Sequence, residues 1–205
     1  MKEIRKIVVT GGPCAGKSTA TGWIQQAFSK QGYTVLFIPE TATELISGGV
    51  APWTCGTNLD YQRCQVQLQL EKERIFLQAA MTMPGEKFLI VCDRGIMDNL
   101  AYMTHDEFLI ILDELGLKEK ELMLSYDAIF HLVSAAKGLS QFYTLDNNTA
   151  RTETPEQAAI LDDKVLTAWH EHPQLHIIEN CSGFNHKMEH LVNEIADVLG
   201  LSAVV

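Results

Sequence analysis

A glycine-rich stretch near the start of the chain constrains the fold more than any other feature. Residues 11–18 read GGPCAGKS and complete the pattern G-x-x-x-x-G-K-[ST], with a β-branched run before them and a helical pattern after them. Glycines let the backbone bend so that successive N–H groups converge on phosphate oxygens, and the positive end of the next helix points to the same place. Lys17 can then reach the β- and γ-phosphates, and the Ser18 hydroxyl can bind Mg²⁺. The stretch predicts a nucleotide-binding loop formed by Gly11, Gly12, Pro13, Cys14, Ala15, Gly16, Lys17, Ser18 and Thr19.

Length and charge limit the class of protein. The chain has 205 residues, enough for one buried core, and no linker divides it, so residues 1–205 are predicted to form a single domain. A net charge of −10 argues against nucleic acid as a partner, because that binding depends on Lys and Arg facing phosphates. The apolar runs are too short to cross a membrane and the N-terminus lacks the apolar block of a signal peptide, so we expect a cytoplasmic protein without a membrane partner.

The order of apolar segments predicts an α/β fold. Five short apolar runs indicate buried strands, and segments with helical spacing follow them. Parallel neighbours require crossover connections, so this order favours a five-stranded parallel sheet with helices on both faces. The predicted strands lie at residues 7–9, 34–38, 88–92, 127–133 and 175–179, and the predicted helices at 16–30, 41–44, 60–83, 155–171 and 185–199, with two helical pieces around Gly116 within 105–124.

The longest predicted helix contains a conflicting pattern. Residues 64–70 alternate polar and apolar side chains, which is typical of an amphipathic strand. The flanking residues are strong helix formers, and no glycine or proline interrupts them before Pro84. We therefore predict one helix over residues 60–83, capped by Asp60. For the short helix at 41–44, the residues Thr41 and Glu44 predict a capping box.

Acidic residues follow two of the predicted strands. Glu40 comes directly after the second strand, and Asp93 directly after the third. Open α/β sheets hold their ligands at the carboxyl ends of the strands, so both carboxylates are candidates for the site. A carboxylate in the position of Asp93 is suited to organising Mg²⁺ in a protein with this phosphate loop. The alternative is that Asp93 merely caps the next helix.

Two segments are predicted to move over the site. Residues 47–59 are rich in Gly, Pro and Thr, which predicts a mobile loop on the substrate side. Trp53 within it could stack on an acceptor, anchor a protein interface, or be buried as local packing. A second polar loop lies between Lys137 and Arg151 and predicts a lid over about 137–155, although both cations could instead be ordinary surface residues. The acceptor-side candidates are Trp53, Tyr61, Gln62 and Arg63.

Four segments carry a family resemblance. The residues VVTGGPCAGKST (8–19), the pair Pro39-Glu40, CDRGIMDNLAY (92–102) and RTETPEQA (151–158) resemble the AAA-like ATP/GTP-binding group of P-loop proteins. That group is similar to nicotinamide riboside kinases and, more distantly, to deoxyribonucleoside and thymidylate kinases. The resemblance implies the strand order 2-3-1-4-5, a lid after strand four, and a nucleotide bound across the carboxyl edge of the sheet.

The resemblance also implies roles for individual residues. Glu40 resembles the carboxylate that serves as general base toward an acceptor hydroxyl, and Asp93 with Arg94 resembles the acid–arginine pair that holds the Mg²⁺ shell and the phosphates. Arg151 resembles a lid arginine. The chain departs from the nucleoside kinase pattern at Gly95, where serine is common, and it has no N-K-x-D box for guanine.

Two functional hypotheses follow. The first is transfer of the γ-phosphoryl group of ATP, with Mg²⁺ as cofactor and GTP left open as the donor, to a nucleoside-like or other small acceptor; Lys17, Glu40, Asp93, Arg94 and Arg151 would form the catalytic set. The second is a nucleotide-dependent switch or adaptor that acts on a protein partner. The sequence leaves homo-oligomerisation open. It also leaves open whether Cys14, close to a helix N-terminus, is redox-active.

Overall fold

The computed structural model describes residues 2–138, 154–181 and 183–202. Strands and helices alternate along most of this part of the chain. The strands are β1 (Glu3–Thr10), β2 (Thr34–Ile38), β3 (Lys87–Asp93), β4 (Ala128–Leu132) and β5 (Leu175–Ile178). The helices are α1 (Lys17–Lys30), α2 (Thr41–Ser47), α3 (Asn58–Thr82), α4 (His105–Leu115), α5 (Glu119–Met123), α6 (Pro155–Ala168) and α7 (Phe184–Val198), with a 3₁₀ helix over Ile96–Ala101.

The strands form one parallel sheet in the order β2-β3-β1-β4-β5. This confirms both the predicted fold class and the strand order that the family resemblance implied. Because β1 lies between β3 and β4, the loop that leaves β1 faces the carboxyl ends of both neighbours. In register, Val9 is paired with Asp93 on β3 and Thr10 with His131 on β4. The sheet therefore brings Asp93 beside the start of the phosphate loop.

Apolar side chains cover both faces of the sheet. Alternate residues of a strand point to opposite faces, so Ile7 packs with α1 and α7 while Val8 packs with the 3₁₀ helix and α4. On the first face, Phe28 of α1 is fully buried, and on the second Trp169, just after α6, is fully buried. Burial on both faces explains why the central strands read as continuous apolar runs.

Helix α3 begins earlier than the sequence predicts. Its N-cap is Thr57, whose hydroxyl accepts a hydrogen bond from the backbone N–H of Asp60 at 3.1 Å. The prediction that Asp60 caps this helix is therefore wrong, because Asp60 lies in the first turn, where its negative charge suits the positive end of the helix dipole. The alternating residues 64–70 are helical, as predicted.

The predicted capping box of α2 is also wrong. Glu40 occupies the N-cap position without a capping side-chain bond, and Thr41 is the first helical residue. The carboxylate of Glu44 instead lies 2.9 Å from the ammonium of Lys72. Between α2 and α3, Thr54 closes a turn, since its hydroxyl accepts a hydrogen bond from the backbone of Ala51 at 2.8 Å. Mobility of this loop stays a prediction.

Among the helices of the described residues, none combines the length and the apolar character needed to span a membrane.

Candidate functional site

The phosphate loop has the backbone geometry that its glycines permit. Gly11 has a φ of +137°, and a Cβ at this position would lie 2.1 Å from the carbonyl oxygen of Leu132. Gly16 has a φ of +97° and is the N-cap of α1. A side chain is strained at both positions, and it would also collide with β4 at Gly11 and, at 2.7 Å, with the Phe184 ring of α7 at Gly16. The two glycines therefore follow from how closely β4 and α7 approach the loop.

The Lys17 side chain folds back over this loop. Its ammonium donates hydrogen bonds to the carbonyl oxygens of Gly11 at 3.0 Å and Gly12 at 3.2 Å. Burial lowers the pKa of Lys17 to about 8, and Arg94 acts in the same direction, while Asp93 opposes the shift. Keeping the charged ammonium buried costs free energy, and a phosphate anion beside it would offset that cost.

Asp93 is a candidate cation ligand. It ends β3 and is partly buried, and its Oδ1 atom is buried with no hydrogen-bond partner among the described residues. Burial raises the pKa of its carboxyl, and the nearby Lys17 partly offsets this. A buried, unpartnered carboxylate oxygen close to the loop that carries Ser18 fits the oxygen ligands that Mg²⁺ prefers. In the described part of the chain no group of three His, Cys, Asp or Glu could hold a metal. Ser18 and Asp93 stay the ligands that the sequence predicts.

Glu40 and Arg94 form an ion pair at the same edge of the sheet. The Arg94 Nε atom donates to Glu40 Oε1 at 2.5 Å, and the Thr43 hydroxyl donates to Glu40 Oε2 at 2.7 Å. Burial opposes ionisation of Glu40, but Arg94 and Lys17 outweigh it and hold its pKa at about 2. We call Lys17, Glu40, Asp93 and Arg94 the β3-side cluster.

Arg94 is held in an unusual conformation. Its φ is +70°, a left-handed value that non-glycine residues seldom adopt. Burial opposes its charge, but Tyr102 and Glu40 raise its pKa well above the ordinary value. Its buried Nη1 atom finds no hydrogen-bond partner within the described residues. Strain and an unsatisfied donor at one residue indicate a functional position.

Asp98 fixes the turn that carries Arg94. This buried carboxylate in the 3₁₀ helix accepts hydrogen bonds from the Thr10 hydroxyl at 2.7 Å and the Trp169 indole at 2.9 Å. Its second oxygen accepts from the backbone N–H of Gly95 at 2.8 Å. A Cβ on Gly95 would lie 2.5 Å from the Trp169 ring. The glycine that departs from the nucleoside kinase pattern is thus required by the packing of Trp169, which the sequence did not reveal.

Helix α3 turns a polar face toward this turn. Gln69 donates to the carbonyl oxygen of Arg94 at 3.3 Å, and Gln65 donates to Asn99 of the 3₁₀ helix at 2.8 Å. Both glutamines are buried. Their spacing of four residues places them on one face of the helix. The alternation that resembled a strand therefore reflects buried glutamines that support the Arg94 turn.

The four acceptor-side candidates lie in different surroundings. Tyr61 is buried, and burial followed by the nearby Glu40 carboxylate raises its pKa to about 12. Gln62 is buried, with an Oε1 atom that lacks a partner within the described residues. Arg63 instead forms two 2.8 Å hydrogen bonds to Glu114 on α4. Trp53 is 73% exposed, which excludes its being buried as local packing.

Lys72 supports Glu40 from α3, a role that the sequence did not indicate. Its ammonium donates to the carbonyl oxygen of Pro39 at 2.6 Å and pairs with Glu44 at 2.9 Å. These contacts lie on both sides of Glu40 in the chain. Lys72 therefore fixes the junction of β2 and α2 that presents the Glu40 carboxylate.

A second charged cluster lies on the β4 side of the phosphate loop. The Asp162 carboxylate on α6 accepts from the N–H of Gly12 at 2.7 Å and pairs with Lys137 at 2.8 Å. Burial opposes ionisation of Asp162, but His131 and Lys137 outweigh it and hold its pKa well below the usual range. Sequence reasoning missed Asp162 because it lies 150 positions from Gly12. We call Lys137, Asp162, Asn180 and Lys187 the β4-side cluster.

Lys187 completes the β4-side cluster. Its buried ammonium donates to the carbonyl oxygens of Ala15 at 3.1 Å and Val133 at 2.6 Å, and to Asn180 Oδ1 at 3.0 Å. Burial lowers its pKa to about 8. The contact with Ala15 ties α7 to the phosphate loop.

The predicted lid is only partly within the described residues. At its first margin, Lys137 pairs with Asp162 and with Asp163, the latter at 2.6 Å. At its far margin, Thr154 caps α6 and Pro155 is the first helical residue, as predicted. Arg151 and the central part of the predicted lid lie outside the described residues.

Comparisons with known proteins identify the family and bear on the fold. Residues 6–185 match the profile of an AAA domain family. The fold is similar to the crystal structure of thymidylate kinase from Ehrlichia chaffeensis, with a TM-score of 0.60 and 15% identity over 96% of this chain and 99% of that chain. No curated protein matches the sequence of this chain significantly. The chain therefore belongs to the AAA domain family and is a P-loop NTPase with a kinase-like fold.

Proposed function

We propose that the protein is a small-molecule kinase that transfers the γ-phosphoryl group of ATP to a hydroxyl of a nucleoside-like or other small acceptor. One observation carries this proposal. Three features converge at the carboxyl edge of the sheet, beside the phosphate-loop lysine: a strained arginine, the carboxylate paired with it, and a second carboxylate. The arginine Nη1 and one buried oxygen of the second carboxylate have no hydrogen-bond partner in the described part of the chain. The fold of thymidylate kinase, an enzyme named for phosphoryl transfer, supports the same reaction class.

Each residue of the β3-side cluster has a separate task in this reaction. Lys17 and the loop N–H groups would hold the β- and γ-phosphates, and Ser18 with Asp93 would hold Mg²⁺. Bound Mg²⁺ supplies neutralisation of phosphate charge. The acceptor oxygen forms a bond to the γ-phosphorus, the bond from that phosphorus to the ADP oxygen breaks, and Glu40 takes the hydroxyl proton. Arg94 would neutralise charge on the transferred group.

The ion pair between Glu40 and Arg94 links nucleotide binding to the transfer of the acceptor proton to Glu40. A carboxylate with a pKa of about 2 is a weak base, because its charge is already stabilised by Arg94 and Lys17. When phosphate draws both cations toward itself, the Glu40 carboxylate loses that stabilisation and its pKa rises. We infer that Glu40 becomes an effective base only when the nucleotide is bound.

Arg151 is proposed as a second cation on the transferred group. A positioned arginine contributes about 10³–10⁵-fold to turnover and a general base about 10²–10⁴-fold. We therefore expect Arg151→Ala to reduce turnover at least as much as Glu40→Ala, measured as the rate of acceptor phosphorylation. A smaller loss for Arg151→Ala would remove Arg151 from the catalytic set.

The test of the proposed function is a panel of acceptors. ATP-to-ADP conversion with Mg²⁺ is measured against nucleosides, nucleotides, nicotinamide riboside and sugars, with Lys17→Ala as the blank. We expect one acceptor class to gain the mass of one phosphoryl group in step with ADP formation. Tight nucleotide binding with only slow hydrolysis across the panel would instead favour the switch or adaptor, for which the exposed Trp53 would be an interface anchor.

A further inference from the structure

A cavity of about 430 Å³ lies between α1 and β2, on the face of the sheet that α1 covers, and it opens to solvent along the exposed residues Ser18, Gly22 and Gln25. Its walls are mainly apolar and include Ile24 of α1, Phe37 of β2 and Val91 of β3. One end is polar, because Lys17 and Asp93 of the β3-side cluster line it. The cavity therefore begins at the proposed site of phosphoryl transfer and extends away from it along an apolar path.

The α1 wall of the cavity contains a glycine that no backbone turn requires. Ser18, Thr21, Gly22 and Gln25 line the cavity at the three- and four-residue spacing of one helix face. Glycine weakens the interior of a helix relative to alanine. No group of the described residues beyond the helix itself lies within 4 Å of the place where a Cβ on Gly22 would be. The residue leaves this side of the cavity open.

We propose that this cavity binds the apolar part of the phosphoryl acceptor, which makes the acceptor a small alcohol with an apolar body. The proposal rests on the proposed kinase function. The volume of the cavity falls in the range of small-molecule pockets, about 300–1,000 Å³, which favours a small ligand over a protein segment. The hydroxyl of such a ligand would lie at the end lined by Lys17, Ser18 and Asp93.

The chain connects this cavity directly to the proposed base. Pro39 lines the cavity, and Glu40 is the next residue. The contact between Lys72 and the Pro39 carbonyl fixes this corner. An acceptor with its apolar body beside Phe37 would therefore have its hydroxyl near the carboxylate that takes the proton. Its oxygen would bond to the γ-phosphorus as the bond to ADP breaks.

The binding test uses the full chain and a series of straight-chain alcohols from 1-butanol to 1-octanol. In the wild-type protein we expect the Kd, measured by ligand-observed NMR titration, to fall by up to about fourfold for each added methylene, the value for a methylene that is fully buried. The Gly22→Leu and Thr21→Leu variants each place a larger apolar side chain at the cavity and should weaken 1-octanol binding at least tenfold. Retained ATP binding shows that each variant is folded.

The matched control is Gln26→Leu, which adds the same side chain one turn further along α1, at an exposed residue that does not line the cavity. It should bind 1-octanol like the wild type. The inference is overturned if wild-type affinity does not depend on chain length. It is also overturned if both Gly22→Leu and Thr21→Leu bind 1-octanol as Gln26→Leu does.

The two proposals fail in different ways. Phosphorylation of a nucleoside, together with alcohol binding that ignores chain length, overturns the cavity assignment and leaves the kinase in place. Alcohol binding that depends on Gly22 and Thr21, with no phosphoryl transfer to any acceptor, overturns the kinase function and leaves the cavity as a ligand site. Phosphorylation of the bound alcohol by the wild type but not by Gly22→Leu supports both.

Discussion

The charged clusters on the two sides of the phosphate loop are built differently. On the β4 side, Asp162 Oδ1 accepts from the N–H of Gly12, and its Oδ2, which has no hydrogen bond of good geometry, lies 2.8 Å from the Lys137 ammonium, so the charge is compensated within the protein. On the β3 side, Asp93 Oδ1 and Arg94 Nη1 are buried and have neither a hydrogen bond nor an ion-pair contact among the described residues. Buried polar groups are normally paired, because leaving one unpaired costs free energy. We infer from this difference that the β4-side cluster supports the loop, whereas the β3-side cluster has polar atoms available to bind a ligand.

The largest expected contrast comes from two isosteric substitutions. Asp162→Asn removes the charge of a fully buried carboxylate that accepts from Gly12 and pairs with the partly exposed Lys137, so it should lower the free energy of unfolding by about 1.5–3 kcal/mol. Asp93→Asn removes a charge that burial disfavours, as its raised pKa shows, so stability should stay within about 1 kcal/mol of the wild type. Thermal unfolding of the wild type and both variants measures these changes in stability. Equal losses of stability would erase the distinction between the clusters.

Acid unfolding sharpens the comparison within the β3-side cluster. Glu40 has a pKa of about 2 in the folded protein, below the ordinary value of 4.5, so its ion pair stabilises the fold above pH 4.5 and loses this effect as the pH falls toward 2. Between pH 6 and pH 3 the wild type should lose about 2 kcal/mol more stability than Glu40→Gln. The measurement is urea unfolding at each pH. Parallel curves for the two proteins would show that the pair with Arg94 adds no stability.

Nucleotide affinity should depend on pH through Lys17. Its pKa of about 8 means that the free protein loses this positive charge as the pH rises above 8, and with it the attraction for phosphate. The Kd for ATP should rise by about tenfold between pH 7 and pH 9. Lys17→Arg should remove the dependence, because a guanidinium stays charged. If the dependence persists in Lys17→Arg, its source is another group, with Lys187 of the β4-side cluster as the first candidate, since its pKa is also about 8.

The smallest effect is expected at an ion pair outside both clusters. Arg63 pairs with Glu114 where both side chains are partly exposed to solvent. Solvent and salt screen such a pair, so Arg63→Ala should shift the melting temperature by at most a few degrees. A loss comparable to that of Asp162→Asn would mean that solvent exposure does not separate the two kinds of pair. An increase in KM for an acceptor would restore Arg63 as an acceptor-side residue.

Much of the fold could be predicted because its signals are local. The phosphate loop, the five buried strands and their connecting helices each depend on residues that lie close together in the chain. The capping of α3 could not be settled in this way. Thr57 and Asp60 are both good capping residues, and the choice depends on the extended backbone of Thr57.

The supports of the site could not be predicted because they act across long separations. Asp98 binds Thr10, 88 positions away, and Lys72 binds the carbonyl of Pro39, 33 positions away. Nothing near Asp98 in the sequence distinguishes it from an ordinary helix residue. The need for glycine at position 95 is also visible only in three dimensions, because a Cβ there would collide with the ring of Trp169. The sequence indicated the residues that face a ligand better than the residues that hold them in place.

The most direct test of the account compares product formation by the wild type and by Asp93→Asn. Each protein is incubated with ATP, Mg²⁺ and the acceptor panel, and the acceptors are analysed by mass spectrometry. We predict that the wild type adds one phosphoryl group to an acceptor and that Asp93→Asn does not, although the variant unfolds at nearly the same temperature. Undiminished transfer by Asp93→Asn, or ATP hydrolysis by the wild type without any phosphorylated acceptor, would contradict it.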